Sequence, residues 1–365
     1  MTSRKCGLIM SVPRAGALQK HYTLRVDCLR LLMSSLVAAI AAVTAPLAQA
    51  RCQIETVAEM PVAANVNQLI TRGTIDGHAV SVLIDTGSYM SFIWRPAAER
   101  LGLRLVTGPR MRMFGLGGES RVDSTLVEEL QVATFKVNNL RIPVAGDLAS
   151  SVDFILGENF LGRGSVEFDV RHGAVRTLET RGCTPAELPY WAKTYSMAEL
   201  LASPEDAWAI RVNVVLNGRV VRAQIDSGST VSLLAKAEAD SVGVHYVSNS
   251  AEIVGIGRRR LETWIADVQS FKLGDESINN TQLRIAQLGK YQTRDRIGTR
   301  IPVSTGTEPS LLLGMDFLRA HRVLIDNTTR KMVFTYEGGT VFQITRSSES
   351  DAAASDPVGA TSAGN

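Results

Sequence analysis

Short apolar runs separated by turn residues fill the chain from about residue 55 to residue 345, and helical periodicity is confined to brief stretches. Val80, Val82 and Ile84 fall on alternate positions, the period at which one face of a strand is buried. A second strand run carries Val220, Val221 and Ile225. Asp76-Gly77 precedes the first run and Asn217-Gly218 precedes the second. Both pairs are strong two-residue hairpin signals, because the two central positions of that turn need positive φ. Short helices are expected at Pro96–Leu101, Glu158–Leu161, Ala235–Ser241 and Met315–Arg319. Between Arg181 and Asp206, Pro185, Pro189 and Pro204 surround Met197–Leu201, which predicts a linker with a helical turn or two. Residues 288–310 are polar and basic and read as a surface loop, and 347–365 lack any periodicity and read as a disordered tail.

The two strand runs belong to one unit written twice. Asp85-Thr86-Gly87-Ser88 recurs as Asp226-Ser227-Gly228-Ser229, 141 residues later, and Asp76-Gly77 recurs as Asn217-Gly218 at the same offset. Ser91-Phe92-Ile93 matches Ser232-Leu233-Leu234, and Leu101-Gly102-Leu103 matches Val242-Gly243-Val244, without slippage. Gly115-Leu116-Gly117 answers Gly255-Ile256-Gly257 at 140, and Ile155-Leu156-Gly157 answers Leu312-Leu313-Gly314 at 157. An offset this constant, broken by one insertion in the second copy, marks a duplication. The expected organisation is a signal over 1–50, lobe 1 over 55–178, a linker over 179–205, lobe 2 over 206–346 and a tail over 347–365.

Composition narrows the function classes. The chain has 365 residues, 45% of them apolar and 21% charged, enough apolar material for a substantial core. Its net charge of +3 is uneven, since the first fifty residues hold six Lys/Arg against one acidic residue and the remainder is therefore net negative. The folded part lacks the clustered positive charge of a nucleic-acid binder. Arg25 and Arg30 precede an uncharged run from Leu31 to Ala50 that ends in Ala48-Gln49-Ala50, the layout of a secretory signal with a small-residue cut site. An exported, periplasmic or secreted protein without stable membrane insertion is expected after cleavage, and an uncleaved membrane anchor is the alternative. Cys6 and Cys28 lie in the signal, which leaves Cys52 and Cys183. An even pair in an exported chain predicts a disulfide, with two buried thiols as the alternative. The five histidines are scattered and neither cysteine sits in a CxxC pair, so no metal site or other cofactor is expected.

The chemistry is expected at the two Asp-Thr/Ser-Gly turns. Each ends an apolar strand, and each occupies the same place in its repeat. Two carboxyls brought together in a low-dielectric cleft cannot both ionise easily and come to share a proton. Such a pair can activate a water for attack on a peptide carbonyl while protonating the carbonyl oxygen. Val82-Leu83-Ile84-Asp85-Thr86-Gly87-Ser88, Gly115-Leu116-Gly117-Gly118 and Ile155-Leu156-Gly157-Glu158-Asn159-Phe160-Leu161 resemble the retropepsin-like aspartic proteases, the clan of pepsin and the retroviral proteases. So do Ala223-Gln224-Ile225-Asp226-Ser227-Gly228-Ser229, Gly255-Ile256-Gly257 and Leu312-Leu313-Gly314-Met315-Asp316-Phe317-Leu318. The likeness covers 75–175 and 212–336, and tandem copies in one exported chain resemble bacterial periplasmic members.

That resemblance implies an all-β fold of duplicated acid-protease barrels with short helices, and a catalytic pair Asp85 and Asp226. Thr86, Gly87, Ser88, Ser227, Gly228 and Ser229 would support the pair. Gly115–Gly118 and Gly255–Gly257 would be flaps over substrate. The hydroxyls of Ser88 and Ser229 are expected to donate to the carboxylates and lower their pKa values. The second flap departs from the first in running into Arg258-Arg259-Arg260. That departure fits a one-flap enzyme, a taste for acidic substrate residues, or a solvated hairpin tip. Extended polypeptides are the expected partners of a monomer, with no nucleic acid. A non-catalytic peptide-binding module on the same fold is the rival reading, and pairing of like lobes between two chains is an alternative to an internal dyad.

Overall fold

The computed structural model describes residues 51–342 except 65, 108–111, 148–149, 203–208 and 289–308. The expected signal, most of the insertion at 288–310 and the expected tail lie outside the described residues. In chain order the first half contains β1 (Gln53–Pro61), β2 (Ile70–Ile75), β3 (His78–Ile84), β4 (Phe92–Trp94) and α1 (Arg95–Arg100). β5 (Arg112–Gly115), β6 (Gly118–Arg121), β7 (Asp123–Val132), β8 (Phe135–Ala145), β9 (Phe154–Leu156), α2 (Glu158–Leu161), β10 (Ser165–Asp169) and β11 (Ala174–Arg181) follow. The second half contains β12 (Ser196–Glu199), β13 (Arg211–Leu216), β14 (Arg219–Ile225), β15 (Leu233–Ala235) and α3 (Lys236–Val242). It continues with β16 (Tyr246–Ile253), β17 (Leu261–Leu273), β18 (Glu276–Ala286), β19 (Leu311–Leu313), α4 (Met315–Leu318), β20 (His321–Asp326) and β21 (Lys331–Tyr336).

Each half closes a six-stranded barrel. In lobe 1 the ring runs β2-β3-β9-β4-β8-β7. In lobe 2 it runs β13-β14-β19-β15-β18-β17, closed where β17 pairs with β13, and β16 is added outside the ring on β17. Closure leaves few free edges and puts alternate side chains inside. Val80, Val82 and Ile84 are buried from β3, and Val221, Ala223 and Ile225 from β14. The turns entering β3 and β14 have the backbone that Asp-Gly and Asn-Gly encode. φ is 49° at Asp76 and 80° at Gly77, and 46° at Asn217 and 80° at Gly218. The parallel pairings β3–β9 and β14–β19 are decisive for the site, because they carry the two Asp strands alongside the two apolar-Gly segments.

A third sheet, ordered β1-β11-β10-β20-β21-β12, ties the lobes together. Each half supplies three strands, and the seam is the antiparallel pair β10–β20, with Ser165 opposite Asp326 and Phe168 opposite Val323. The linker does contain a helical turn, at Pro185–Glu187, but Met197–Leu201 is not helical, which corrects the expectation for that stretch. Ser196–Glu199 forms β12 and pairs with β21, Ser196 opposite Phe334 and Glu199 opposite Lys331. Without that partner, β21 would expose a row of unpaired backbone groups, so the sheet edge overrides the local preference. Cys52 and Cys183 form a disulfide with Cα atoms 4.2 Å apart, beside the β1–β11 pairing.

Candidate active site

Each aspartate stands at the end of its strand. The Asp85 N–H donates to the Leu156 carbonyl in β9 at 3.0 Å, and the Asp226 N–H to Leu313 in β19 at 2.9 Å. The turn that follows folds back on the side chain. Asp85 Oδ1 accepts from the N–H groups of Gly87 at 2.8 Å and Ser88 at 3.0 Å. Asp226 Oδ1 accepts from Gly228 and Ser229, both at 3.0 Å. Each carboxyl is thus fixed by two backbone donors from its own loop, with little freedom to rotate away.

The loops are locked to one another by reciprocal hydroxyl bonds. Thr86 Oγ1 donates to the Ile225 carbonyl at 2.9 Å and accepts the Ser227 N–H at 3.0 Å. Ser227 Oγ donates to Ile84 at 2.9 Å and accepts the Thr86 N–H at 3.0 Å. Both hydroxyl residues are wholly buried, so these four bonds are formed away from water. Glycine is obligatory in both turns because of the opposite lobe. A Cβ on Gly87 would overlap the Asp226 carboxyl, and a Cβ on Gly228 would overlap that of Asp85. The repeat thus brings the carboxyls of Asp85 and Asp226 together, each lying against the glycine of the other lobe's turn.

The electrostatics follow from that placement. Burial raises the pKa of both groups above the usual carboxylate range, opposed in part by the backbone donors of the turns. The charge of Asp85 raises Asp226 further. The pair therefore holds one proton at a pH where exposed carboxylates have lost theirs. Such a dyad combines a base for a water with an acid for a carbonyl oxygen.

Behind the turns the resemblance implies that the two apolar-Gly segments, with Asn159 and Asp316, act as braces, whereas sequence reasoning assigned Ser91 and Ser232 no role. Ser91 donates its N–H and its hydroxyl to Asn159 Oδ1, both at 2.8 Å, and accepts the Gly157 N–H. Ser232 makes the same contacts with Asp316, at 2.9 Å from N–H and 2.6 Å from hydroxyl, and accepts the Gly314 N–H. The Asn-for-Asp difference between the copies is absorbed because both side chains offer a carbonyl-type oxygen there. Constant spacing of Ser91 and Ser232 after each aspartate was the available signal. The two copies differ behind the aspartates. Glu158 is fully buried and neither carboxyl oxygen has a partner among the described residues, whereas lobe 2 has Met315 at this position. Burial, with the charge of Asp85 adding to it, raises the Glu158 pKa well above normal.

The serines after the glycines act through their backbones only. Ser88 Oγ donates to the Met90 carbonyl at 2.8 Å and Ser229 Oγ to Val231 at 2.7 Å. The expectation that these hydroxyls bond the carboxylates is overturned, because the turn directs them to the carbonyl two residues on.

Both glycine-rich segments form hairpin tips, and the tips meet. Leu116 accepts the Gly257 N–H at 2.9 Å and Gly117 the Arg259 N–H at 3.1 Å. Ile256 of lobe 2 packs on the lobe 1 group containing Leu83, Phe92 and Ile155, while Leu116 of lobe 1 packs on Leu233, Ala286 and Leu312 of lobe 2. Each tip thus covers the wall of the other lobe, next to the strands that bear the aspartates. Of the arginines that follow the second tip, Arg258 is anchored on Asp147 of lobe 1 at 2.7 Å and Arg260 on Glu252 at 3.3 Å. Arg95 joins Asp147 at 3.0 Å to Asp123 at 2.7 Å, which extends the anchor into lobe 1. The hydrogen bond from Arg258 is the main cause that holds Asp147 below the usual carboxylate range.

This constellation is matched at the level of family. A sequence model of the family described as aspartyl protease matches residues 71–160 and 212–317, more than half of the chain. The chain belongs to the aspartyl protease family. The two matched stretches carry one aspartate turn each, one copy per lobe. No individual curated protein matches the chain. Elsewhere, a broad groove on lobe 2 lined by Asn217, His245, Asp267 and Gln282 contains neither aspartate. Among the described residues, no three His, Cys, Asp or Glu side chains cluster as metal ligands. No described helix is long and apolar enough to cross a membrane.

Proposed function

We propose that the protein is an aspartic endopeptidase whose dyad takes Asp85 from lobe 1 and Asp226 from lobe 2 of one chain. The observation that carries this reading is the mutual contact of the two turns, each glycine lying against the carboxyl of the other lobe. In the singly protonated pair, the ionised carboxylate accepts a proton from a water while the protonated one donates to the carbonyl oxygen of the scissile peptide. The water oxygen bonds to the carbonyl carbon and a tetrahedral diol forms. Transfer of a proton to the amide nitrogen then lets the C–N bond break, releasing an amine and a carboxylic acid and restoring one proton on the pair. Gly87, Ser88, Gly228 and Ser229 hold the carboxyls through their N–H groups, and Thr86 and Ser227 keep the loops in register. Substrates are extended polypeptides that lie under the two tips and add strand-like hydrogen bonds. The protein acts outside the cytoplasm as a monomer, directed there by residues 1–50.

The test is cleavage of an unfolded protein by the wild type and by Asp85→Asn and Asp226→Asn variants. Both variants should fold and lose activity, and a transition-state mimic with a hydroxyl at the scissile position should bind more tightly than the parent peptide. Retained cleavage in either variant refutes the internal dyad. Tight peptide binding with no turnover in the wild type between about pH 3 and 8 supports the binding-module rival instead.

A further inference from the structure

The two walls of the cleft are built from corresponding strands and differ in chemistry. On the lobe 1 side, Ile70 and Leu83 face each other across β2 and β3 and belong to the apolar group beneath the Ile256 tip. One repeat later, at an offset of 141, Arg211 and Gln224 face each other across β13 and β14. Directly opposed residues of an antiparallel pair project from the same face, with Cβ atoms about 5 Å apart. That face is fixed by Gln224, whose amide reaches the Gly87 carbonyl in the lobe 1 turn at 3.4 Å. Val212 and Val214 point the other way, into the barrel core. Arg211 therefore looks onto the cleft beside the dyad.

Arg211 is poorly compensated there. It is half-buried, its Nε is shut off from water, and no described residue offers that nitrogen an acceptor. Arg222 is close enough to repel it, and Arg211 forms no ion pair with a described carboxylate. A guanidinium in such a position gains most from a carboxylate, which matches its fork of donors and removes the unpaired charge. Of the three flap arginines, Arg258 and Arg260 already hold carboxylates of the protein, and Arg259 is exposed at the tip beside Gly118 rather than half-buried on β13.

We propose that Arg211 selects substrates, taking the carboxylate of a Glu or Asp side chain on the lobe 2 side of the scissile bond. The opposite wall is apolar, with Leu83 and Phe92 buried beneath the Ile256 tip. The enzyme therefore discriminates among extended peptides by one acidic residue at a fixed distance from the cut. This proposal rests on the protease reading for its geometry, and its test separates the two.

Peptides that differ only in Glu or Gln at each position within three residues of the cut are supplied at about pH 6, where a peptide Glu is ionised. One position should show kcat/KM about tenfold to a hundredfold higher for Glu, the worth of a hydrogen-bonded charge. Arg211→Ile, the residue of lobe 1, should bring that ratio to near one, as should Arg211→Gln if the apolar variant does not fold. Arg211→Glu should transfer the preference to Lys. A Glu preference absent at every position, or one that survives both neutral variants, overturns the proposal. The same peptide pairs are titrated against the Asp226→Asn chain, which reads affinity without turnover. If the wild type cuts nothing, the protease reading fails on its own. Arg211-dependent binding of the Glu peptide then still upholds the acidic site, and its absence overturns it.

Discussion

Replacing Glu158 by Met should stabilise the protein, and increasingly so as pH rises. Glu158 is fully buried and its two carboxyl oxygens have no hydrogen-bond partner among the described residues. Met315, its counterpart in lobe 2, is also fully buried after the same apolar-Gly segment, so the backbone accepts the substitution. Leaving a buried polar group unsatisfied costs about 1–3 kcal/mol, which sets the expected gain where the carboxyl is neutral in both folded and unfolded chains. For a protein of this size each kcal/mol raises Tm by roughly 1–2 °C. A second contribution is pH-dependent. Burial and the charge of Asp85 raise the folded-state pKa of Glu158, so the folded chain binds more protons than the unfolded one. Its stability therefore falls as pH rises from the unfolded value of about 4.3 towards the folded one. The advantage of the Met variant should be smallest below about pH 4 and grow towards neutrality. Urea unfolding of wild type, Glu158→Met and Glu158→Gln at several pH values measures both parts, since Gln removes the ionisation and keeps the buried polar group. A Met variant less stable than wild type, or an advantage that does not widen with pH, refutes the reasoning.

Four further outcomes follow from the site. Gly87→Ala should abolish peptide cleavage in a steady-state assay, because its Cβ overlaps the Asp226 carboxyl; cleavage at more than a few per cent of wild type would show that the lobes meet differently. Thr86→Val keeps the shape but strands the Ser227 N–H and removes the donor to Ile225, so urea unfolding should show a loss of about 1–3 kcal/mol. The pH–rate profile should keep its alkaline limb above the ordinary carboxylate range, because burial raises both dyad pKa values and so retains the working proton. Ser88→Ala combined with Ser229→Ala should leave that limb in place, since backbone N–H groups hold the carboxyls; a shift of one pH unit would place the hydroxyls on the dyad after all.

The duplication, the all-β class and the family were legible in the chain because they reside in local order. Hairpin turns need residues that tolerate positive φ, strands need alternating burial, and a repeat preserves both at a constant offset. The helices at Glu158–Leu161 and Met315–Leu318 were legible for the same reason, being single turns after a glycine. Contacts between elements far apart in sequence were not. Met197 sits in a strand because the edge of β21 needed a partner, and that partnership depends on the sheet rather than on neighbouring residues. Ser88 and Ser229 look like donors to the aspartates by proximity in sequence, yet turn geometry sends their hydroxyls to Met90 and Val231. Glu158 lies in a motif that gave it no role of its own, and only the packing of α2 behind Asp85 leaves its carboxyl buried without a partner among the described residues. The tertiary structure also decided that two hairpin tips meet across the lobes, with Arg258 held by Asp147. Local spacing encodes backbone conformation and burial period, whereas the direction and charge state of a side chain depend on what the rest of the chain packs around it.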